Sequence, residues 1–250
     1  MSESSGHRHS IENLNKRRFR VKEIDRIFRM ANHTPSSILD VGSGNGVITS
    51  YYSEKGYEAV GIEVSESAVK QASEQFPETK FIHYDGLHFP FEDSSFDTIL
   101  LNDVLEHISY NDMEQVLAEI HRIMKPNGLV YISVMNRWQI IEPHTLIPLL
   151  TWLPKVAWNS VCMKLKKIDF SNVWPYTRGR LQLLLERHSF SFDDLTNVYV
   201  QHKFQGINPI GDRMTSRIVR LLQRTRLIRI AYFLALKVSI LVFVGRKDSK

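Results

Sequence analysis

Apolar residues in the first half of the chain come in short, nearly unbroken runs separated by stretches of helical spacing. Ile38-Leu39-Asp40-Val41, Glu58–Glu63, Phe81–Tyr84, Phe96–Leu101 and Leu129–Val134 read as five strands. Between and before them the spacing predicts helices. One runs over residues 12–31, through Leu14, Val21, Ile24, Ile27, Phe28 and Ala31; another passes through Tyr52 to Lys55 and closes at Gly56. Two more cover Ser65–Gln75 and Asp112–Ile123, the last stopped by Lys125-Pro126-Asn127-Gly128. Strands alternating with helices predict a parallel sheet with right-handed crossovers, a doubly wound α/β domain. After Val134 the rhythm breaks. Residues 138–163 are apolar, aromatic and punctuated by Pro143, Pro148 and Pro154; Thr177–His188 resumes a helix with Thr177 as its N-cap, and Phe190–Val200 and Val238–Val244 read as two late strands.

Composition narrows the class. A chain of 250 residues, 43% hydrophobic and 24% charged, is ordinary for a globular protein. Its single cysteine, Cys162, excludes an internal disulfide and a cysteine-based zinc site, favours a reducing compartment and reads as a small apolar residue. Residues 1–11 read as a flexible leader, because this Ser/His-rich stretch lacks the apolar core of a signal peptide. No apolar run reaches the roughly 18 residues that a spanning helix needs; the closest, Ile230–Val244, is broken by Lys237. Residues 12–250 then form a single domain with two insertions, an apolar cap over 138–176 and a basic amphipathic stretch over 212–237. The net charge of +5 belongs to the tail: residues 213–247 hold nine basic side chains and no acid, so the first 212 residues are net acidic.

The candidate chemistry starts at Gly42-Ser43-Gly44-Asn45-Gly46, directly after a strand and opening a helix. Such a loop brings backbone N–H groups toward an anionic ligand group. A dinucleotide fingerprint requires Gly-x-Gly-x-x-Gly, however, and Val47 holds the place of its third glycine. Glu63 ends the second strand, where a carboxylate accepts from ribose hydroxyls, and Asp85 ends the third, where it can accept from an adenine amine. Asp40, Glu63 and Asp85 together would repel a pyrophosphate and attract a sulfonium bearing an α-amino group.

These segments resemble the class I S-adenosylmethionine-dependent methyltransferases, in particular the type 11 branch that includes ubiquinone-pathway O-methyltransferases. The resemblance is carried by Ile38–Gly46, Gly61-Ile62-Glu63-Val64-Ser65, Asp85–Asp97, Val104-Leu105-Glu106-His107 and Leu117–Gly128. It implies a Rossmann-like seven-stranded sheet, five strands parallel and a late antiparallel hairpin, with helices on both faces. It further implies S-adenosylmethionine as cofactor and S-adenosylhomocysteine as product. Gly42 and Gly44, in the loop completed by Gly46, would face the methionyl part, and Asp40 would orient its amino group. Glu63 would hold the ribose, with Val64 against the adenine. Asp85 would bind the adenine amine, Gly86 would offer an amide, Leu87 would cover the ring, and Asn102 would reach the methionine portion.

Methyl transfer is an in-line displacement in which the protein aligns a nucleophile and excludes water. His107, just beyond the fourth strand, is the candidate catalytic base for a hydroxyl acceptor; the alternative is a histidine that stiffens its loop. In some metal-dependent relatives a Glu-x-x-Glu-His string holds a divalent ion. Here Asp103-Val104-Leu105-Glu106-His107 puts Asp first, with His144 as a further donor, so a divalent metal is an alternative and not the expectation. The His188-Ser189-Phe190 string replaces the usual Gly-Phe, so the left-handed turn there must be made otherwise. Leu146, Ile147, Leu149, Leu150, Trp152, Leu153 and Trp158 either form a lid over a small or lipid-linked hydrophobic acceptor or simply pack a cap. Arg213, Arg217, Arg220 and Arg224 at helical spacing suit peripheral contact with an anionic membrane, placing the protein in the cytoplasm or at the membrane's inner face. Two alternatives stand beside O-methylation of such an acceptor. One is an RNA methyltransferase using these arginines with Arg17, Arg18 and Arg20; the other is a non-catalytic cofactor-binding scaffold.

Overall fold

The computed structural model describes residues 20–204 and 240–247, the side chains of 202–204 excepted. The leader and the basic stretch over 213–229 lie outside the described residues. The strands are β1 (Ser37–Val41), β2 (Glu58–Glu63), β3 (Lys80–His83), β4 (Phe96–Asn102), β5 (Met124–Val134), β6 (Phe190–Asp194) and β7 (Leu241–Lys247). They form one seven-stranded sheet in the order β3-β2-β1-β4-β5-β7-β6, parallel from β3 to β5 and antiparallel across β7 and β6. The helices are α1 (residues 20–30), α2 (Val47–Glu54), α3 (Glu66–Gln75), α4 (Met113–Ile123), α5 (Lys155–Lys166), α6 (Arg178–Arg187) and α7 (Thr196–Phe204).

Both faces of the sheet are covered, which is why its central strands read as apolar runs instead of alternating. Leu39 and Val41 of β1, with Ile99 and Leu101 of β4, pack beneath α4 and α6. Ile38 and Leu100 point the other way, into a cluster with Ile24 and Phe28 of α1, Ile48 and Tyr52 of α2, and Tyr199 of α7. Asp25 ties α1 to α2 by accepting from the Tyr51 and Tyr52 hydroxyls at 2.8 and 3.1 Å.

Between β3 and β4, where no helix is predicted, none forms. That connection is an irregular loop pinned by Arg122 of α4, whose guanidinium donates to the Phe89 and Phe91 carbonyls and to Glu119 and Asp93. Two expectations change. The late strand predicted over Phe190–Val200 stops at Asp194, and the chain turns into α7. Arg20, expected on a basic face, is largely covered: it pairs with Asp103 at 3.0 Å and lies 3.7 Å from Glu23. The missing glycine after α6 is replaced by Ser189, which adopts φ 57°, while His188 Nε2 pairs with Glu114 at 2.6 Å.

The cap has a small core of its own, formed by Met135, Ile147, Leu150, Trp158, Cys162, Phe170 and Val173. The two readings of this segment therefore divide it: Ile147, Leu150 and Trp158 pack inward, whereas Trp138, Leu146, Leu149, Trp152 and Leu153 are exposed.

Candidate active site

The loop after β1 is folded by its glycines. Gly42, Gly44 and Gly46 have φ of 67°, 54° and 76°, left-handed values that favour glycine. The chain uses this freedom to turn its amides inward. Gly42 and Ser43 N–H donate to the Ile62 carbonyl at 2.8 and 3.0 Å, Gly46 N–H to Ser43 at 3.0 Å, and Gly44 N–H to Glu63 Oε2 at 2.9 Å. The expected cradle of free N–H groups is thus not what the loop presents: these four donors are already used within the protein. Asp40 is buried beneath the loop, where its carboxylate accepts from the Thr49 hydroxyl of α2 at 2.7 Å. Gly46 caps α2 against the Phe81 ring.

A cleft of about 440 Å³ opens over the carboxyl ends of β1, β2 and β4. Gly42, Glu63, Val64, Asp85, Gly86 and Leu87 line one end, with Tyr84; Asp103, Val104, His107, Ile108, Ser109 and Asp112 line the other. Gly44, Gly46, Asp40 and Asn102 are not among its lining residues. Glu63 is held at both oxygens, by Gly44 N–H and by Ser65 N–H at 3.1 Å, yet a carboxylate has lone pairs to spare for a ligand hydroxyl. Val64 is half exposed and meets the cleft with its side chain beside Gly86. Asp85 accepts from Leu87 N–H, His88 N–H and His88 Nδ1, and these bonds hold its carboxyl well below the usual range.

At the far end Asp103 stands at φ 57°, and Asn102 binds behind it, accepting from Ser133 Oγ at 3.1 Å. A single 3-10 turn, Leu105–His107, then divides its two polar residues. Glu106 points into the interior: Oε1 accepts from Met135 N–H at 3.3 Å, and Oε2 is buried without a partner among the described residues. Burial, with Asp103 nearby, pushes its pKa up to about 8. His107 points to the cleft, its pKa lowered by burial and by the nearby His144, whose ring centroid is 5.4 Å away. Among the described residues, no group of three or more His, Cys, Asp or Glu side chains is placed to share a metal ion.

Residues 39–132 match the family model for a methyltransferase domain of type 11. That stretch carries the class I methyltransferase domain. It is similar to the malonyl-[acyl-carrier protein] O-methyltransferase of Pseudescherichia vulneris, 27% identical over 46% of this chain and 45% of that one. It is also similar to the demethylmenaquinone methyltransferase of Chlorobaculum tepidum, 29% identical over 64% of this chain and 56% of that one. The chain thus spans about half the length of these curated relatives. The crystal structure of a SAM dependent methyltransferase from Archaeoglobus fulgidus shares the fold, with a TM-score of 0.56 at 15% identity, covering 91% of this chain and 94% of that one.

The cofactor of this methyltransferase family, S-adenosylmethionine, fits the chemistry of the cleft. Among the described lining residues Glu63, Asp85, Asp103 and Asp112 are acidic and none is Lys or Arg, an arrangement suited to a cation and hostile to phosphates. Sequence reasoning placed Asp40 among the acids of the site; the structure puts Asp103 there instead, one residue past the predicted Asn102. Asp112, expected only to open a helix, also reaches the cleft.

Proposed function

We propose that the chain transfers the methyl group of S-adenosylmethionine to a small or lipid-linked hydrophobic acceptor, at oxygen. The observation that carries this reading is a cleft with four carboxylates at its walls, whose His107 ring meets the cap at His144, 5.4 Å away. When bound, the cofactor supplies an electrophilic methyl group; the chain's own residues hold and screen it. Glu63 holds the ribose, and Val64, Gly86 and Leu87 flank the adenine, with Asp85 at its amine. Gly42 and Asp103 face the methionyl part. Asp40, Gly44 and Gly46 support this wall from beneath, and Asn102 does so by fixing Asp103. His107 contacts the acceptor.

Glu63→Ala should weaken S-adenosylmethionine binding about tenfold or more, because it removes a charged acceptor and releases Gly44 N–H. Calorimetric titration checks this, and an unchanged dissociation constant counts against the assignment. For the acceptor, methyl-labelled S-adenosylmethionine and an extract of the source cells should place label in the organic phase. Label in nuclease-sensitive polymer would instead favour RNA, a reading weakened by the pairing of Arg20 with Asp103. Absence of transfer to any fraction would favour a cofactor-binding scaffold.

We read residues 12–250 as one domain whose 138–176 cap shields the acceptor, set in the cytoplasm and touching the membrane's inner face. Leu146 and Leu149 stand at φ 58° and 56° with their side chains exposed, next to exposed Trp152 and Leu153, and Lys155, Lys164 and Lys166 follow on α5. Exposed apolar residues beside lysines suit an anionic lipid surface. Sedimentation with phosphatidylglycerol vesicles should bring the protein down, and Leu146→Ser with Leu149→Ser should leave more of it in solution. No helix among the described residues is long and apolar enough to cross a membrane.

A further inference from the structure

We propose that Glu142 and His144 of the cap form the acid–base dyad of this site, with His144 Nε2 as the atom that takes the acceptor's proton. The inference rests on the methyl-transfer reading above and deepens it.

The geometry begins at Glu142-Pro143-His144-Thr145. Pro143 fixes the backbone just after Glu142, and the chain folds back so tightly that Leu146 N–H donates to the Glu142 carbonyl at 2.8 Å. The Glu142 side chain is completely buried inside this turn. One carboxylate oxygen accepts from His144 N–H at 2.9 Å and from His144 Nδ1 at 2.6 Å. The other accepts from Thr145 N–H at 2.5 Å and its hydroxyl at 2.6 Å. Burial alone would raise the carboxyl's pKa, but these bonds outweigh it and hold it lowered. An ionised carboxylate so enclosed can do little but receive His144.

That bond sets the imidazole. With Nδ1–H donated to Glu142, the neutral ring carries its free lone pair on Nε2, which bonds to no described residue, and the side chain is 41% exposed. The hydrogen bond to Glu142 also raises the affinity of the ring for a proton. His107 has the opposite character: it donates no hydrogen bond to a carboxylate among the described residues, and burial with the nearby His144 lowers its pKa. The two rings meet edge to face at the end of the cleft, so an acceptor touching His107 lies beside His144. The groups facing His144 are Glu142, Glu106, Asp103 and His107. In the transfer, the acceptor oxygen bonds to the methyl carbon as the C–S bond breaks and its pair stays on sulfur. The hydroxyl proton ends on His144 Nε2 and leaves from the exposed ring to water. Glu142 is a positioning residue, and His144 is the catalytic one.

The test uses the full chain, labelled S-adenosylmethionine and a total organic extract of the source cells. His144→Asn should lose about a hundredfold or more of wild-type transfer, in the range expected for a lost general base. It should bind S-adenosylhomocysteine as the wild type does, which also shows that it is folded. Glu142→Gln should move the rising limb of the pH–rate profile to lower pH, a shift that a purely structural role would not produce. Nitrogen NMR of the wild type should show His144 protonated at Nδ1 and bare at Nε2 when neutral, whatever the variants do. A His144→Asn protein that keeps transfer within about threefold of wild type, or a wild-type ring protonated at Nε2, overturns the dyad. A wild type that labels nothing overturns the methyl-transfer reading itself, and the NMR result still reports on the dyad's hydrogen bond.

Discussion

Replacing Gly46 by alanine should destabilise the protein by about 2–5 kcal/mol and loosen the cofactor wall with it. Two costs combine. At φ 76° a side chain-bearing residue pays on the order of 1–2 kcal/mol for the left-handed backbone. A Cβ there would also stand 2.5 Å from Phe81 Cζ and 3.0 Å from Ala72 Cβ, an overpacking that typically adds about 1–3 kcal/mol. The Phe81 ring also packs over Gly61, where an added Cβ would stand 2.7 Å from it, so moving the ring gives up that contact. Urea unfolding measures the first effect and titration with S-adenosylmethionine the second. Gly56→Ala is the informative comparison: φ there is 86°, but no atom lies within 4 Å of the added carbon, so only the backbone cost should appear. Equal losses in the two variants would show that Phe81 yields without cost.

This contrast also explains what the sequence could reveal. A glycine after an apolar strand is legible, since few other residues permit the turn, and the strands are legible because burial on both faces leaves them almost wholly apolar. What a loop does with its amides is not legible. Glycines 42, 44 and 46 fit a phosphate cradle as well as they fit the inward-turned loop observed, and only the position of Glu63 and the Ile62 carbonyl decides between them. Asp40 and Asp103 exchange places for a similar reason: Thr49 lies nine residues after Asp40, and nothing in the pattern says that its hydroxyl will reach that carboxylate.

The failed strand after Asp194 is a case of tertiary override. Leu195-Thr196-Asn197-Val198-Tyr199-Val200 is rich in the β-branched and aromatic residues that favour strands. Its first turn is nevertheless captured by β7, with Leu195 N–H donating to the Val242 carbonyl at 2.8 Å and Val242 N–H donating to the Thr196 hydroxyl at 3.0 Å. A helix from that anchor buries Tyr199 and Val200 together against the sheet. The Glu142–His144 pair was hidden by spacing. Residues two apart share a face in a strand but not in a helix, and only a turn folded over Pro143 lets one side chain bind the other's ring.

Glu106 leads to the second large effect, a loss of stability as the pH rises from about 4.5 to 8 that Glu106→Gln should abolish. Its folded pKa of about 8 stands above the ordinary 4.5, so between those values the native state keeps a proton that the unfolded chain has released. Linkage then makes stability fall as pH rises, by about 1.4 kcal/mol per pH unit from this group alone. The contribution is complete below pH 4.5 and is lost as the pH climbs through 8. Glutamine keeps the neutral form at every pH and can still accept from Met135 N–H. The wild-type and Glu106→Gln stability curves, followed by urea unfolding from pH 5 to 9, should therefore diverge in favour of the variant up to about pH 8 and keep that gap beyond it. Parallel curves would mean that Glu106 ionises in the folded protein despite its burial. The same residue binds the cap to the sheet, since its carbonyl accepts from Trp174 N–H at 2.7 Å while its carboxyl receives Met135. Ionisation at that point would strain the joint on which His107 and the cap are hung, so the loss of stability, which builds between pH 4.5 and 8, should precede any loosening of the cap at higher pH.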